Sequence, residues 1–123
     1  MKIVEIAFTG YPVTDMQRAR AFYEGVLKLE LTRMFENGDR RWIEYDLGQS
    51  TFAISNMSSD DWKPSNDGPA IAFEVEDFDS SVATMRANNV KFTLDPFETP
   101  VCRMAIITDP DGNSICIHKR HAL

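Results

Sequence analysis

The sequence predicts an α+β domain built from two tandem βαβββ modules, and three observations carry that reading. Val13-Thr14-Asp15-Met16 recurs as Val75-Glu76-Asp77-Phe78, an offset of 62 residues. Each copy follows a short apolar stretch and precedes a helical pattern and then a strand signal. Each half closes on a hairpin. Self-similarity at a fixed period marks a repeated supersecondary unit that cannot bury its apolar face alone.

The apolar stretches are Ile3-Val4-Glu5-Ile6-Ala7-Phe8 and Ala70-Ile71-Ala72-Phe73-Glu74-Val75, read as the opening strands. Asp15 is a good N-cap, and Ala19, Phe22, Tyr23, Val26 and Leu27 then form one helical stripe. Asp77 caps the second helix, with Phe78, Val82 and Met85 facing inward and Asn88-Asn89 suited to a left-handed stop. Either carboxylate could be read as catalytic; capping is the better account, because each stands directly before a periodic run. Leu29-Glu30-Leu31-Thr32 and Val90-Lys91-Phe92-Thr93 give the next strand signals.

The first hairpin sets Trp42 to Leu47 and Thr51 to Ser55 around Gly48-Gln49-Ser50. The second sets Arg103 to Thr108 and Ser114 to His118 around Asp109-Pro110-Asp111-Gly112-Asn113, a dense turn signal. Aligning the turns pairs Phe52-Ala53-Ile54-Ser55 with Ile115-Cys116-Ile117-His118 at offset 63. Between the halves lies a polar, Pro/Gly-rich stretch, so the expected organisation is module one at 1–57, a linker at 58–69 and module two at 70–123.

A chain of 123 residues is one domain by length and can bury roughly two-thirds of its unfolded surface. Apolar content of 43% and charged content of 26% fit a soluble globule rather than a disordered chain. A net charge of −6, with no basic cluster beyond Lys119-Arg120, argues against nucleic acid and membrane surfaces as partners. No stretch approaches the ~20 apolar residues of a transmembrane helix, and the N-terminus lacks a signal-peptide pattern. Cys102 and Cys116 have neither CxxC spacing nor the density of a disulfide scaffold, so a reducing cytoplasm is expected.

The stretch from Val13 through Phe22-Tyr23 to Val26-Leu27-Lys28-Leu29 resembles the first helix of the vicinal oxygen chelate superfamily, the glyoxalase, bleomycin-resistance and extradiol-dioxygenase proteins. Ala72-Phe73-Glu74-Val75-Glu76-Asp77 and the Asp109–Asn113 turn resemble its second module, so the likeness spans nearly the whole chain. Lys28 departs from it, standing where the family usually carries Gly at a helix end. The resemblance implies paired modules whose sheets curl into a cup with helices on the convex side, a ligand site inside the cup, and a homodimer. It does not fix a reaction.

In metal-bearing members of that superfamily, ligands come from the first and last strand of each module. The repeat places those positions at Phe8, Ala53, Ala70 and Cys116. Phenyl and methyl groups have no lone pair to give, and one thiol cannot hold an ion that wants three or more protein donors. No metal and no cofactor are therefore expected.

Strand alternation groups Ser114, Cys116 and His118 against Ile115 and Ile117, and Ala70, Ala72 and Glu74 against Ile71, Phe73 and Val75. Trp42, Glu44 and Asp46 likewise oppose Ile43, Tyr45 and Leu47. With the apolar sets under the helices, the expected ligand-binding residues are Phe8, Trp42, Glu44, Glu74, Cys116 and His118. His118 also reads as a solvated strand-end residue, and Cys116 as a small buried apolar residue. A thiolate activated by His118, or a relocated metal set of His118, Glu74 and Glu44, is the sharper alternative. Trp62 could stack a ligand, pin the linker or fill an interface, and the facing of Arg103 is open.

The function this supports is binding of a small, partly apolar molecule without a metal quartet. The rivals are a metal-dependent lyase, isomerase or dioxygenase with displaced ligands, and a non-catalytic accessory module.

Overall fold

The computed structural model describes residues 1–122, arranged as two compact units that divide between Pro64 and Ser65, inside the polar linker. Each unit is a helix packed on a four-stranded mixed sheet.

In the first unit, β1 (Thr9–Pro12), β2 (Arg33–Asn37), β3 (Arg40–Leu47) and β4 (Ser50–Ser55) form a sheet in the order β1-β4-β3-β2. β1 runs parallel to β4, and the other neighbours are antiparallel. The helix starts as α1 (Met16–Arg20), capped by the Asp15 side chain accepting from the Arg18 backbone N–H at 3.0 Å. It continues as a π-helical stretch over Ala21–Val26, where the Leu27 N–H reaches back five residues to the Phe22 carbonyl. The wider turn ends at Lys28, whose φ of 63° lies in the left-handed region.

Tyr23 is the wedge between helix and sheet. Its ring meets Phe52 at 5.3 Å and Tyr45 at 6.5 Å, and Phe52 also takes the edge of Tyr11 at 5.3 Å. With Val13, Ile43 and Ile54 these rings make the buried core, on the face that strand alternation assigns to Ile43 and Tyr45. The buried Tyr45 hydroxyl donates to Glu24, which Arg20 holds from one turn earlier on the helix, so no polar atom of this strut is unsatisfied.

In the second unit, β5 (Ile71–Glu74), β6 (Phe92–Glu98), β7 (Cys102–Thr108) and β8 (Ser114–Arg120) repeat the order as β5-β8-β7-β6, again with the first strand parallel to the last. α2 (Phe78–Ala87) is capped by Asp77 accepting from the Ser80 N–H at 3.0 Å and stops at Asn89, φ 58°. Phe78 and Met85 are buried with Ala105, Ile107, Ile115 and Ile117. Arg103 lies on this helix side. Its guanidinium sits 4.6 Å from the Phe78 ring centre and donates to Asp79 at 2.8 Å.

The Asp109–Asn113 turn is closed by its own side chains. Asp109 Oδ1 accepts from the backbone of Asp111 and Asn113, both at 2.9 Å, and Gly112 supplies a φ of 90°.

Two strand placements differ from the sequence expectation. The first strand is Thr9–Pro12, not Ile3–Phe8, and the strand after the first helix is Arg33–Asn37, not Leu29–Thr32. β5 and β1 are still related by the offset of 62, so the repeat holds and the apolar run Ile3–Phe8 lies ahead of it. Likewise β6 begins at Phe92 and extends to Glu98.

Candidate functional site

The sheet face away from the helix carries the candidate residues in both units. On the first unit, register sets Arg33, Glu44, Ala53 and Gly10 side by side across the four strands, and Phe35, Trp42, Ser55 and Pro12 in the adjacent row. Residues directly opposite share a face, so these two rows are one surface.

Three rings gather over that surface. Phe8, just ahead of β1, meets Trp42 edge-on at 5.1 Å, and Trp42 stacks on Trp62 at 6.4 Å with 27° between planes. They converge where Gly10 has no side chain: a Cβ there would lie 3.4 Å from Trp42 and 3.7 Å from both Phe8 and Trp62. Trp62 is held in place by paired backbone hydrogen bonds with Ser59, at 2.8 and 3.1 Å. Ala53, the neighbour of Gly10 on β4, is fully buried, whereas Phe8 is 49% exposed.

Beside the rings lies a charged strap. Trp42 Nε1 donates to Glu44 Oε2 at 2.9 Å, and Arg33 Nε donates to Glu44 Oε1 at 2.6 Å. Arg33 also grips Asp46 with both terminal nitrogens, at 2.5 and 3.1 Å. The Arg33 bond, with the Trp42 bond second, holds the Glu44 carboxyl below its ordinary pKa. Sequence inspection missed Arg33 and Gly10; a correct start for β2 places Arg33 opposite Glu44 directly.

The second unit carries a smaller group. Glu74 and His118 are register partners, with Nδ1 and Oε1 2.5 Å apart, and the Arg120 backbone N–H donates to the other Glu74 oxygen at 2.8 Å. The backbone bond first, then His118, lowers the Glu74 pKa. Cys116 lies opposite Ala72 and Ile106, and its thiol points to the Ile117 carbonyl. Burial pushes that thiol up, away from the thiolate. His118 Nδ1 faces Glu74, and both cysteines are free thiols. The activated-thiolate alternative has no geometric support.

A family model of the Glyoxalase/Bleomycin resistance protein/Dioxygenase superfamily matches residues 3–117. The chain belongs to this superfamily. A lactoylglutathione lyase of Haemophilus influenzae is 28% identical over 121 residues, covering 91% of this chain and 90% of that protein. Among solved structures, TnmS3, an antibiotic binding protein from Streptomyces sp. CB03234, superposes with a TM-score of 0.81 at 23% identity, over 98% of this chain and 99% of its own. A superfamily member from Sphaerobacter thermophilus gives 0.75 at 22% identity, over 95% and 98%. These structural likenesses establish the fold.

The metal that many members of this superfamily hold can be tested against the residues present. At the four expected positions Phe8, Ala53, Ala70 and Cys116 offer one sulfur between them. The displaced set fares no better, since both Glu44 oxygens are engaged by Arg33 and Trp42. Among the described residues no three His, Cys, Asp or Glu side chains are grouped to hold an ion. The donor set does not fit a divalent metal.

Proposed function

We propose that this superfamily member binds a small, partly apolar molecule with a flat ring system, and does so without a metal. The observation that carries the reading is the meeting of Phe8, Trp42 and Trp62 above Gly10, with Glu44 fixed beside them by Trp42 and Arg33. Rings offer stacking area, and one oriented carboxylate gives direction, the usual division of labour in a ligand pocket. Glu74, His118 and Cys116, on the corresponding sheet face of the second module, are proposed as that module's own ligand contacts. The protein works as a homodimer in a reducing cytoplasm, consistent with two free thiols.

Sequestration needs no general acid and no Lewis acid, which suits a face whose titratable groups are already paired. Titration with a flat aromatic probe, acridine orange, tests the reading by tryptophan quenching. Saturable quenching that Trp42→Ala abolishes supports it. Linear, unsaturable quenching with the native protein speaks for a vestigial site, the accessory-module reading.

The lactoylglutathione lyase relative favours a second reading, a metal-dependent lyase. It requires donors that Phe8, Ala53 and Ala70 do not supply, so it stands behind the binding reading.

A further inference from the structure

The second sheet gathers two sulfurs and an imidazole on its face away from α2. Alternation sends Ala105, Ile107, Ile115 and Ile117 into the core, so Met104, Ile106, Cys116 and His118 share the opposite face. Met104 is the register partner of His118, and Ile106 is that of Cys116. All four side chains are half-buried.

The three donors lie within reach of one ion. Residues directly opposite in an antiparallel pair have Cβ atoms roughly 5 Å apart, and alternate residues of one strand stand about 7 Å apart. The Met104 thioether ends a side chain with three rotatable bonds, which adapts to such a gap. The Cys116 thiol points to the Ile117 carbonyl at 3.8 Å, the group that stands between it and His118 in the chain.

His118 is oriented as a ligating histidine is. Its Nδ1 faces Glu74 Oε1 at 2.5 Å, and the other Glu74 oxygen accepts from the Arg120 backbone N–H at 2.8 Å. A carboxylate at Nδ1 keeps the proton on that nitrogen and leaves the lone pair on Nε2. The same pairing raises the basicity of the ring.

Softness and charge decide which ion fits. Thiolate and thioether together favour copper(I), whereas a thioether is foreign to the N, O and thiolate sets that hold zinc. One thiolate, one thioether and one neutral imidazole carry a single negative charge. A monovalent cation makes that complex neutral, and the Glu74 charge is met outside it by the Arg120 guanidinium at 3.9 Å. Neutrality suits a face walled by Ile106 and its β6 partner Leu94, and by Phe97 opposite Met104.

We infer that Met104, Cys116 and His118 form a site for a soft monovalent cation of the copper(I) class, with Glu74 as the positioning residue behind His118. Binding is a proton exchange. The Cys116 S–H bond breaks, the sulfur electron pair forms the bond to copper(I), and the proton leaves to solvent with no change of oxidation state. The set lies wholly in the second unit, includes one of the four superfamily positions, Cys116, and uses neither the three rings nor Glu44. It names the ligand of the second-module contacts proposed above and rests on that part of the reading.

Competition for copper tests it. Copper(I), supplied to the full chain as its acetonitrile complex under nitrogen, is challenged with bathocuproine disulfonate, whose coloured copper complex is the readout. The native protein should retain one copper(I) per chain and bind zinc at least a hundredfold more weakly. Met104→Leu, a volume-conserving change, should lower copper affinity at least tenfold. His118→Asn should do the same, and so should Glu74→Gln, which leaves all three donors in place. Cys102→Ser should leave affinity unchanged, and thermal melts check that each variant is folded. The inference is overturned if no copper withstands the competitor, if zinc binds as tightly, if Met104→Leu or His118→Asn holds copper as well as the native chain, or if Cys102→Ser strips it. Acridine orange titration of the same samples keeps the two readings apart. Saturable quenching without retained copper removes the copper site and leaves the ring site, and retained copper with linear quenching does the reverse.

Discussion

Trp42 and Glu44 lie two residues apart on one strand face and are joined by an Nε1–Oε2 hydrogen bond of 2.9 Å. This bond couples one of the two indoles of the aromatic cluster to an oriented carboxylate, and Arg33 locks the carboxylate from the neighbouring strand at 2.6 Å.

Because Arg33 and Trp42 stabilise the charged form, Glu44 titrates below its ordinary value of 4.5. Its contribution to the folded state is present above that value and is lost as pH falls through the lowered one. Tryptophan emission should therefore change with a midpoint below pH 4.5 in the native protein. Arg33→Gln should move that midpoint upward, read by emission against pH. An unmoved midpoint would mean that the strap does not govern Glu44.

Gly10 makes the close approach of the three rings possible. A single methyl meets Trp42 at 3.4 Å, an ordinary contact, so Gly10→Ala should keep the cluster. Gly10→Leu places branched carbons where the indoles lie. It should weaken acridine orange binding at least tenfold while lowering the melting temperature by only a few degrees, about 1 kcal/mol for a domain of this size. Quenching titrations beside thermal melts separate the two effects.

Lys28 ends the first helix with φ at 63°, a conformation that costs a residue with a Cβ about 1 kcal/mol. Lys28→Gly should stabilise the fold by about that amount, measured by urea unfolding. A loss of stability would show that the lysine side chain holds something that its backbone geometry does not reveal.

Cys116 should behave as an unactivated thiol. Its thiol is pushed toward the protonated form by burial, and then by Cys102. Iodoacetamide should modify it more slowly than free cysteine at pH 7. Fast alkylation would reopen a nucleophilic role.

How much of this was legible in the sequence follows from how local each signal is. The Asp15 and Asp77 caps and the Asp109–Asn113 turn are local hydrogen-bond devices, and the structure has each where the chain predicts it. Alternation placed Trp42 and Glu44 on one face, because β3 is long and unbroken. β1 was displaced since Thr9-Gly10-Tyr11-Pro12 contains two residues that disfavour strands, while the apolar arm ahead of it looks like one. Misplacing the start of β2 hid Arg33, whose partners come from another strand. Arg103 was undecidable for a related reason: its aromatic and acidic neighbours, Phe78 and Asp79, belong to the helix and not to the sheet.

The central claim is that ligand binding here needs no metal. Its most direct test measures metal content and acridine orange affinity on the same purified sample, before and after exhaustive chelation. The account predicts far less than one divalent ion per chain and an unchanged dissociation constant. About one zinc, nickel, iron or manganese per chain, removed together with binding and restored by adding it back, would contradict it.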